Sequence, residues 1–172
     1  MTTLLVVSDT HGDPAFVRRV LAVRPEVAAL VHLGDHCDDA LLLASEASLP
    51  LHNVRGNGDF DCVHGCPVSD VVEIEGLRIL LVHGHLQDVK NGLRRLADSA
   101  AHRLPPVDVV LFGHTHRAFQ RTVDREGGSP FLLLNPGSAR DPRRGFGDPP
   151  ASCAILRFGK DEGLAGIEVD WA

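Results

Sequence analysis

Short apolar runs, each ending abruptly in a small polar cluster, recur along the chain. In "LLVVSDTHGD" the run at 4–7 is followed by Asp9 and His11. In "VAALVHLGDH" the run at 28–33 leads to Asp35, and in "LHNVRGNGD" the run at 51–54 leads to Asn57 and Asp59. The pattern returns at 78–82 ahead of His83 and His85, at 107–112 ahead of His114 and His116, and at 131–134 ahead of Asn135 and Ser138. Near-continuous apolar runs of this length suit strands buried on both faces.

Helical stretches lie between the early runs. One spans 14–23, opening after Asp13 as N-cap with Pro14 at the first position. Two more are expected at 38–47, opened by Asp38 and Asp39 beside the positive helix end, and at 88–103. The later chain is strand-rich, at 71–74, 77–82, 118–123, 131–134, 153–158 and 164–169, with Glu75-Gly76 as a hairpin turn. This order predicts an α/β four-layer sandwich, two mixed β-sheets packed face to face with helices outside. The Asn57-Gly58 pair is by itself a strong hairpin signal, yet it stands where the other runs place polar clusters.

In open α/β sheets ligands bind beyond the carboxyl ends of the strands. If the strand ends share one rim, Asp9, His11, Asp35, Asn57, His83, His114 and His116 converge. Two carboxylates and four imidazoles packed together without a cation would be costly. One or two divalent metals remove that cost, and Asp, His and an Asn carbonyl suit Mn²⁺, Fe, Zn²⁺ or Ni²⁺. Cysteine is absent from the set, which argues against a structural zinc knot.

Composition narrows the picture further. A chain of 172 residues is expected to form one domain over 1–172, and its 44% hydrophobic content is enough for a sizeable core. The net charge of −6 argues against a general nucleic-acid binder, though not against a nucleotide held at a metal. No apolar run is long enough to cross a bilayer, and the first residues lack the basic region of a secretory signal. A cytoplasmic protein is expected, with Cys37, Cys62, Cys66 and Cys153 as free thiols. Cys62, His64 and Cys66 resemble half a zinc site, but no second half-site follows. Residues 138–152, dense in Pro, Gly and Arg, read as a long surface loop.

Together the blocks Asp9-x-His11, Gly34-Asp35-x-x-Asp38, Gly56-Asn57-x-Asp59, His83-Gly84-His85 and Gly113-His114-Thr115-His116 resemble the calcineurin-like metallophosphoesterases. With Asn135-Pro136-Gly137-Ser138 and the small size, the chain is similar to the compact YfcE-type phosphodiesterase branch. The resemblance implies one metal held by Asp9, His11, Asp35 and His116. A second would be held by Asp35, Asn57, His83 and His114, with Asp35 bridging. It implies hydrolysis of a small phosphodiester by a hydroxide between two divalent ions, Mn²⁺ foremost, with Ni, Fe or Zn as the others. Many relatives carry a histidine after the motif asparagine. Here Gly58 stands there, so Asn57 and His85 are the candidate catalytic residues beyond the pure ligands.

Arg140, Arg143 and Arg144 are either phosphate contacts or a solvated basic loop. Asp59 is expected to orient its neighbours rather than bind metal, Asn135 to Ser138 to support the site floor, and His32 to be structural. His36, His52, His64 and His102 carry no motif support. No stable nucleic-acid partner and no membrane association are expected, and a homo-oligomer is open. Two other functions stay in play: a non-catalytic protein-binding scaffold of the same fold, as in the retromer subunit, and a phosphomonoesterase or nuclease of the superfamily.

Overall fold

A computed structural model describes residues 1–60, 65–141, 149–160 and 162–172. The readings made for Cys62, His64, Arg143 and Arg144 lie outside the described residues. Two five-stranded sheets form the centre. The first runs β10-β9-β1-β2-β3, built from β1 (Thr2–Val7), β2 (Ala29–His32), β3 (Leu51–Asn53), β9 (Ala154–Phe158) and β10 (Glu168–Trp171). The second runs β4-β5-β6-β8-β7, built from β4 (Ser69–Ile74), β5 (Leu77–Val82), β6 (Val109–Leu111), β7 (Ala118–Arg125) and β8 (Gly128–Pro136). Both are mixed. β1, β2 and β3 are parallel, as are β5, β6 and β8; β9 pairs antiparallel with β1 and β10, and β4 and β7 pair antiparallel with β5 and β8.

Alternation along each strand creates three apolar layers. Leu4, Val6 and Val31 of the first sheet pack against Ile79, Leu81, Leu111 and Leu134 of the second. The opposite faces are covered by helices. Val17 of α1 (Ala15–Val23) and Leu43 of α2 (Cys37–Ala47) cover Leu5, Val7 and Leu30, while Leu96 of α3 (Arg94–Ala101) covers Leu80, Val110 and Phe112. The four-layer sandwich read from the pattern is therefore the fold. Burying residues on both faces of the central strands is what makes their sequences continuously apolar.

Two local expectations are corrected, and the turn at Asn57-Gly58 is present but is not a hairpin. The helix expected over 88–103 begins only at Arg94, because Asp88 and Gly92 take left-handed backbone and interrupt the first turns. The strand expected over 164–169 is a short 3₁₀ turn at Leu164–Gly166 followed by β10, after Gly163 at φ 61°. Asn57-Gly58 forms a turn closed by Asp59 N–H on the Gly56 carbonyl at 3.4 Å, but neither residue has positive φ. A two-residue hairpin of the primed type needs that geometry. The strands on either side lie in different sheets, so this turn carries the chain away from the first sheet.

Candidate metal centre

Parallel β1, β2 and β3 deliver their C-terminal loops to one rim, and parallel β5, β6 and β8 deliver theirs to the same rim. The two sets of loops are stitched together. Asp9 N–H donates to Gly34 O at 3.0 Å, Gly113 N–H to His83 O at 2.9 Å, and Ser138 Oγ–H to Asp9 O at 2.9 Å. Asn135 Nδ2 donates to Gly113 O at 2.7 Å and to Thr115 Oγ1 at 3.1 Å, which ties the His114–His116 turn to the end of β8.

Seven residues singled out in the sequence come together here. Asp9, His11 and His116 form one group, and Asp35, His83 and His114 form another. Within each, the potential ligand atoms lie within 4.8 Å of one another. Asn57 Oδ1 joins the second group at 3.2 Å from His83 Nε2. Asp9, Asp35 and His83 are buried, whereas Asn57 is exposed at the mouth. Asp9, His11, Asp35, His114 and His116 all hold left-handed backbone, with φ between 49° and 68°. Such conformations cost about 1–3 kcal/mol each and gather where a site imposes them.

The donor chemistry fits a cation. His83 Nδ1 lies 2.7 Å from the Leu33 carbonyl, which can only accept, so the neutral ring turns its Nε2 lone pair inward. Facing that lone pair are His114 Nδ1 at 3.1 Å, Asn57 Oδ1 at 3.2 Å and Asp35 Oδ1 at 3.5 Å. In the first group, His11 Nε2 and His116 Nε2 are 3.2 Å apart. Asp9 Oδ2 accepts from Ser8 Oγ–H at 2.5 Å and from His114 N–H at 3.0 Å. Its other oxygen, Oδ1, is buried without a well-aligned donor, although His116 Nε2 lies 3.1 Å away. It also lies 3.8 Å from His11 Nε2 and 3.9 Å from His83 Nε2, so Asp9 faces both groups, while Asp35 Oδ1 lies 3.5 Å from His83 Nε2 within its own. Electron-rich atoms converge on two centres, an arrangement a divalent ion relieves.

Electrostatics favour the ligand forms of these groups. Burial raises the Asp9 carboxyl pKa, but His116, His83 and the Ser8 hydroxyl outweigh it and bring the pKa down to about 2. Burial, aided by His83 and Lys90, lowers His114 to about 4. Burial also lowers His11 and His85. His85 is half-buried beside the second group, its ring 5.3 Å from that of His83, and its Nδ1 has no hydrogen-bond partner among the described residues. Arg140 lies close enough to His11 for its positive charge to add to the lowering of that imidazole's pKa, and its N–H donates to Ser138 Oγ at 3.4 Å. His32 is fully buried, accepting from Gly34 N–H at 3.2 Å and meeting Thr10 Oγ1 at 3.2 Å, which fits its structural reading.

Asp59 takes the orienting role. Its Oδ1 accepts from the N–H groups of His36 and Cys37 at 2.8 Å each. Its Oδ2 accepts from Asp35 at 2.9 Å and Gly56 at 2.7 Å. It caps α2 from a distance and fixes the Asp35 backbone. Burial raises its pKa, but the donors at Cys37, Gly56 and His36 prevail and hold it below the usual carboxylate range. An amide cannot accept at both positions, so Asp59→Asn is expected to cost about 2–3 kcal/mol at pH 7. A depressed folded pKa contributes stability above the unfolded value near 4, and that stability is lost as pH falls through the folded value. The difference between wild type and variant in urea unfolding should therefore shrink from pH 7 to pH 3. An unchanged difference would contradict this account.

Some contributors carried no signal in the sequence. Ser8 precedes Asp9 without a motif, and the Leu33 carbonyl belongs to a residue that reads only as core. Gly113 admits no side chain, because a Cβ there would lie 1.9 Å from Ser8 Oγ.

Paired O/N clusters on the shared rim of a four-layer α/β sandwich define a metallophosphoesterase-like protein. The chain belongs to the calcineurin-like phosphoesterase superfamily, whose domain model matches residues 2–161. It is 35% identical over 150 residues to a probable metallophosphoesterase of Mycoplasma pneumoniae, covering 83% of this chain and 82% of that protein. It is 28% identical over 155 residues to a protein of Methanocaldococcus jannaschii named as a phosphodiesterase, covering 77% and 81%. Its fold also resembles that of wild-type Vps29 from Entamoeba histolytica, solved with Zn²⁺, at 25% identity and a TM-score of 0.72. That match covers 99% of this chain and 98% of that one.

Proposed function

We propose that the protein is a metal-dependent phosphodiesterase acting on small diesters in the cytoplasm. The observation that carries this reading is the facing of electron-rich atoms around two centres, above all the buried Asp9 Oδ1 without a well-aligned donor. Asp9, His11 and His116 would hold one ion. Asp35, His83, His114 and Asn57 would hold the other, with Asp35 or Asp9 spanning both. Mn²⁺ is the first choice, with Ni, Fe or Zn as the others. Divalent ions held there would supply a nucleophile by acidifying a bound water and would offset charge on the phosphate. The chain's own part is geometric. His83 is locked through Leu33, His114 through the Asp9 contact, and Asp35 through Gly58 N–H at 2.7 Å. His85, half-buried beside this group, is the residue placed to meet a phosphate oxygen or the leaving group. The relative named as a phosphodiesterase supports the diester over the monoester.

The test is release of 4-nitrophenolate from bis(4-nitrophenyl) phosphate with Mn²⁺ or Ni²⁺, alongside metal content. Wild type should turn over, and His114→Ala should lose about a hundredfold or more in kcat/KM. Equal rates for both would sink the reading. A wild-type protein that takes up no Mn²⁺ would favour the scaffold reading.

A further inference from the structure

On the His114 side of the metal centre a cleft of about 550 Å³ opens between Val89–Leu93 and the start of β7. Its floor is apolar, with Val89 buried and Leu93 and Phe119 half-buried. Thr115, between His114 and His116, forms the end wall. That hydroxyl is fixed by Asn135 Nδ2 at 3.1 Å and Arg117 N–H at 3.3 Å, so the cleft joins the centre through a held element. Lys90 and Arg117 line the walls, both exposed. Among the described residues neither side chain makes an ion pair or a hydrogen bond.

In a chain of net charge −6, two cations without acidic partners over an apolar floor ask for a complement. The size lies within the range of small-molecule sites, which pair apolar walls with a few charged groups. The reacting phosphate would sit at the metal centre. These cations line the cleft and belong to neither ligand group, and what they match is a second anion. Arg117 can grip a phosphate by a forked contact and Lys90 as a point charge. Leu93 and the Phe119 ring can pack against a flat ring.

We propose that this cleft receives one arm of the diester, and that the arm carries a flat apolar ring and a second phosphate. Lys90 and Arg117 are then specificity-determining residues that do not touch the reacting atoms. The inference rests on the phosphodiesterase reading, and its test separates the two. Binding of thymidine 3′,5′-bisphosphate and of thymidine 5′-monophosphate to the Mn²⁺-loaded protein is measured by calorimetry. Wild type should prefer the bisphosphate by about tenfold, the size of one charge-assisted hydrogen bond. The double variant Lys90→Ala/Arg117→Ala should lose the preference while binding the monophosphate within about twofold of wild type.

A kinetic arm uses the 4-nitrophenyl ester of thymidine 5′-phosphate with and without a 3′-phosphate, since both release the same leaving group. The preference should appear in KM rather than kcat. No preference in wild type, or one that survives the double variant, overturns the proposal. A wild type that binds with the preference but hydrolyses neither ester leaves the cleft standing and removes the phosphodiesterase reading instead.

Discussion

Asp9→Asn is expected to abolish metal-dependent hydrolysis, lowering kcat/KM by roughly a thousandfold or more, without unfolding the protein. Two hydrogen bonds converge on Asp9 Oδ2, from the Ser8 hydroxyl at 2.5 Å and the His114 amide at 3.0 Å. Both are donors, so the oxygen of an asparagine must take that position. The amide NH₂ then replaces Oδ1, facing the imidazoles of His116 at 3.1 Å and His11 at 3.8 Å. Without a cation this suits neutral rings, whose lone pairs gain a donor. With a cation it is wrong in charge and in polarity. Losing a bound ion removes several kcal/mol of charge stabilisation, and about 4 kcal/mol is roughly a thousandfold in rate. Two readouts distinguish this from simple damage. The metal-free variant should melt at or above the metal-free wild type, and its melting temperature should rise far less on adding Mn²⁺, because binding stabilises only a competent native site. A variant that keeps full activity, or whose Tm rises with Mn²⁺ as wild type does, would show that Asp9 Oδ1 is not the anchor described here.

Asp9 also shows how far the sequence could be read. The strand-then-polar rhythm identified the strands that reach the rim, because burial on both faces leaves a continuous apolar run and a loop must follow each one. Convergence of the seven residues followed from the parallel order of those strands. What the pattern could not supply was the geometry within the loops. Nothing in "SDTHGD" states that Asp9 and His11 adopt left-handed backbone, or that Ser8 and the His114 amide share one carboxylate oxygen while the other faces the His116 ring. The same limit explains the corrections. Asp88 and Gly92 interrupt an amphipathic stretch whose periodicity looks unbroken, since periodicity registers side chains and not φ. The Asn57-Gly58 pair does turn the chain, but tertiary contacts rather than hairpin pairing set that turn. Asp59 draws Gly56, Asp35, His36 and Cys37 around one carboxylate, and that network sets the turn. The cleft beside His114 was illegible for a different reason, because Lys90 and Arg117 are distant in sequence and each reads alone as a solvated surface charge.

Gly34→Ala is expected to be strongly destabilising, lowering Tm by about 10 °C or more. Gly34 lies at φ +98°, where a side chain is strained, and a Cβ there would meet Gly56 N at 2.5 Å and Gly56 Cα at 2.8 Å. Both are backbone atoms, so no rotamer change relieves the clash and the loops after β2 and β3 must separate. Their contact is not incidental. Asp35 and Asn57 ride on these loops, and Asp59 clamps them through Asp35 N–H and Gly56 N–H. Strain at positive φ costs about 1–2 kcal/mol, and forced separation of packed backbone costs about 1–3 kcal/mol more. At about 2–4 °C per kcal/mol for a chain of this size, the sum is a shift of about 10 °C. Gly127→Ala is the matched control. Gly127 lies at φ +67° with open space where its Cβ would stand, so it carries the backbone strain without the clash. Any Gly34→Ala protein that folds should also bind Mn²⁺ more weakly, because moving the Gly56 loop draws Asn57 away from His83. If the two alanine variants melted at the same temperature, the close approach of these loops would have no energetic weight, and the positioning of Asp35 would have to come from elsewhere.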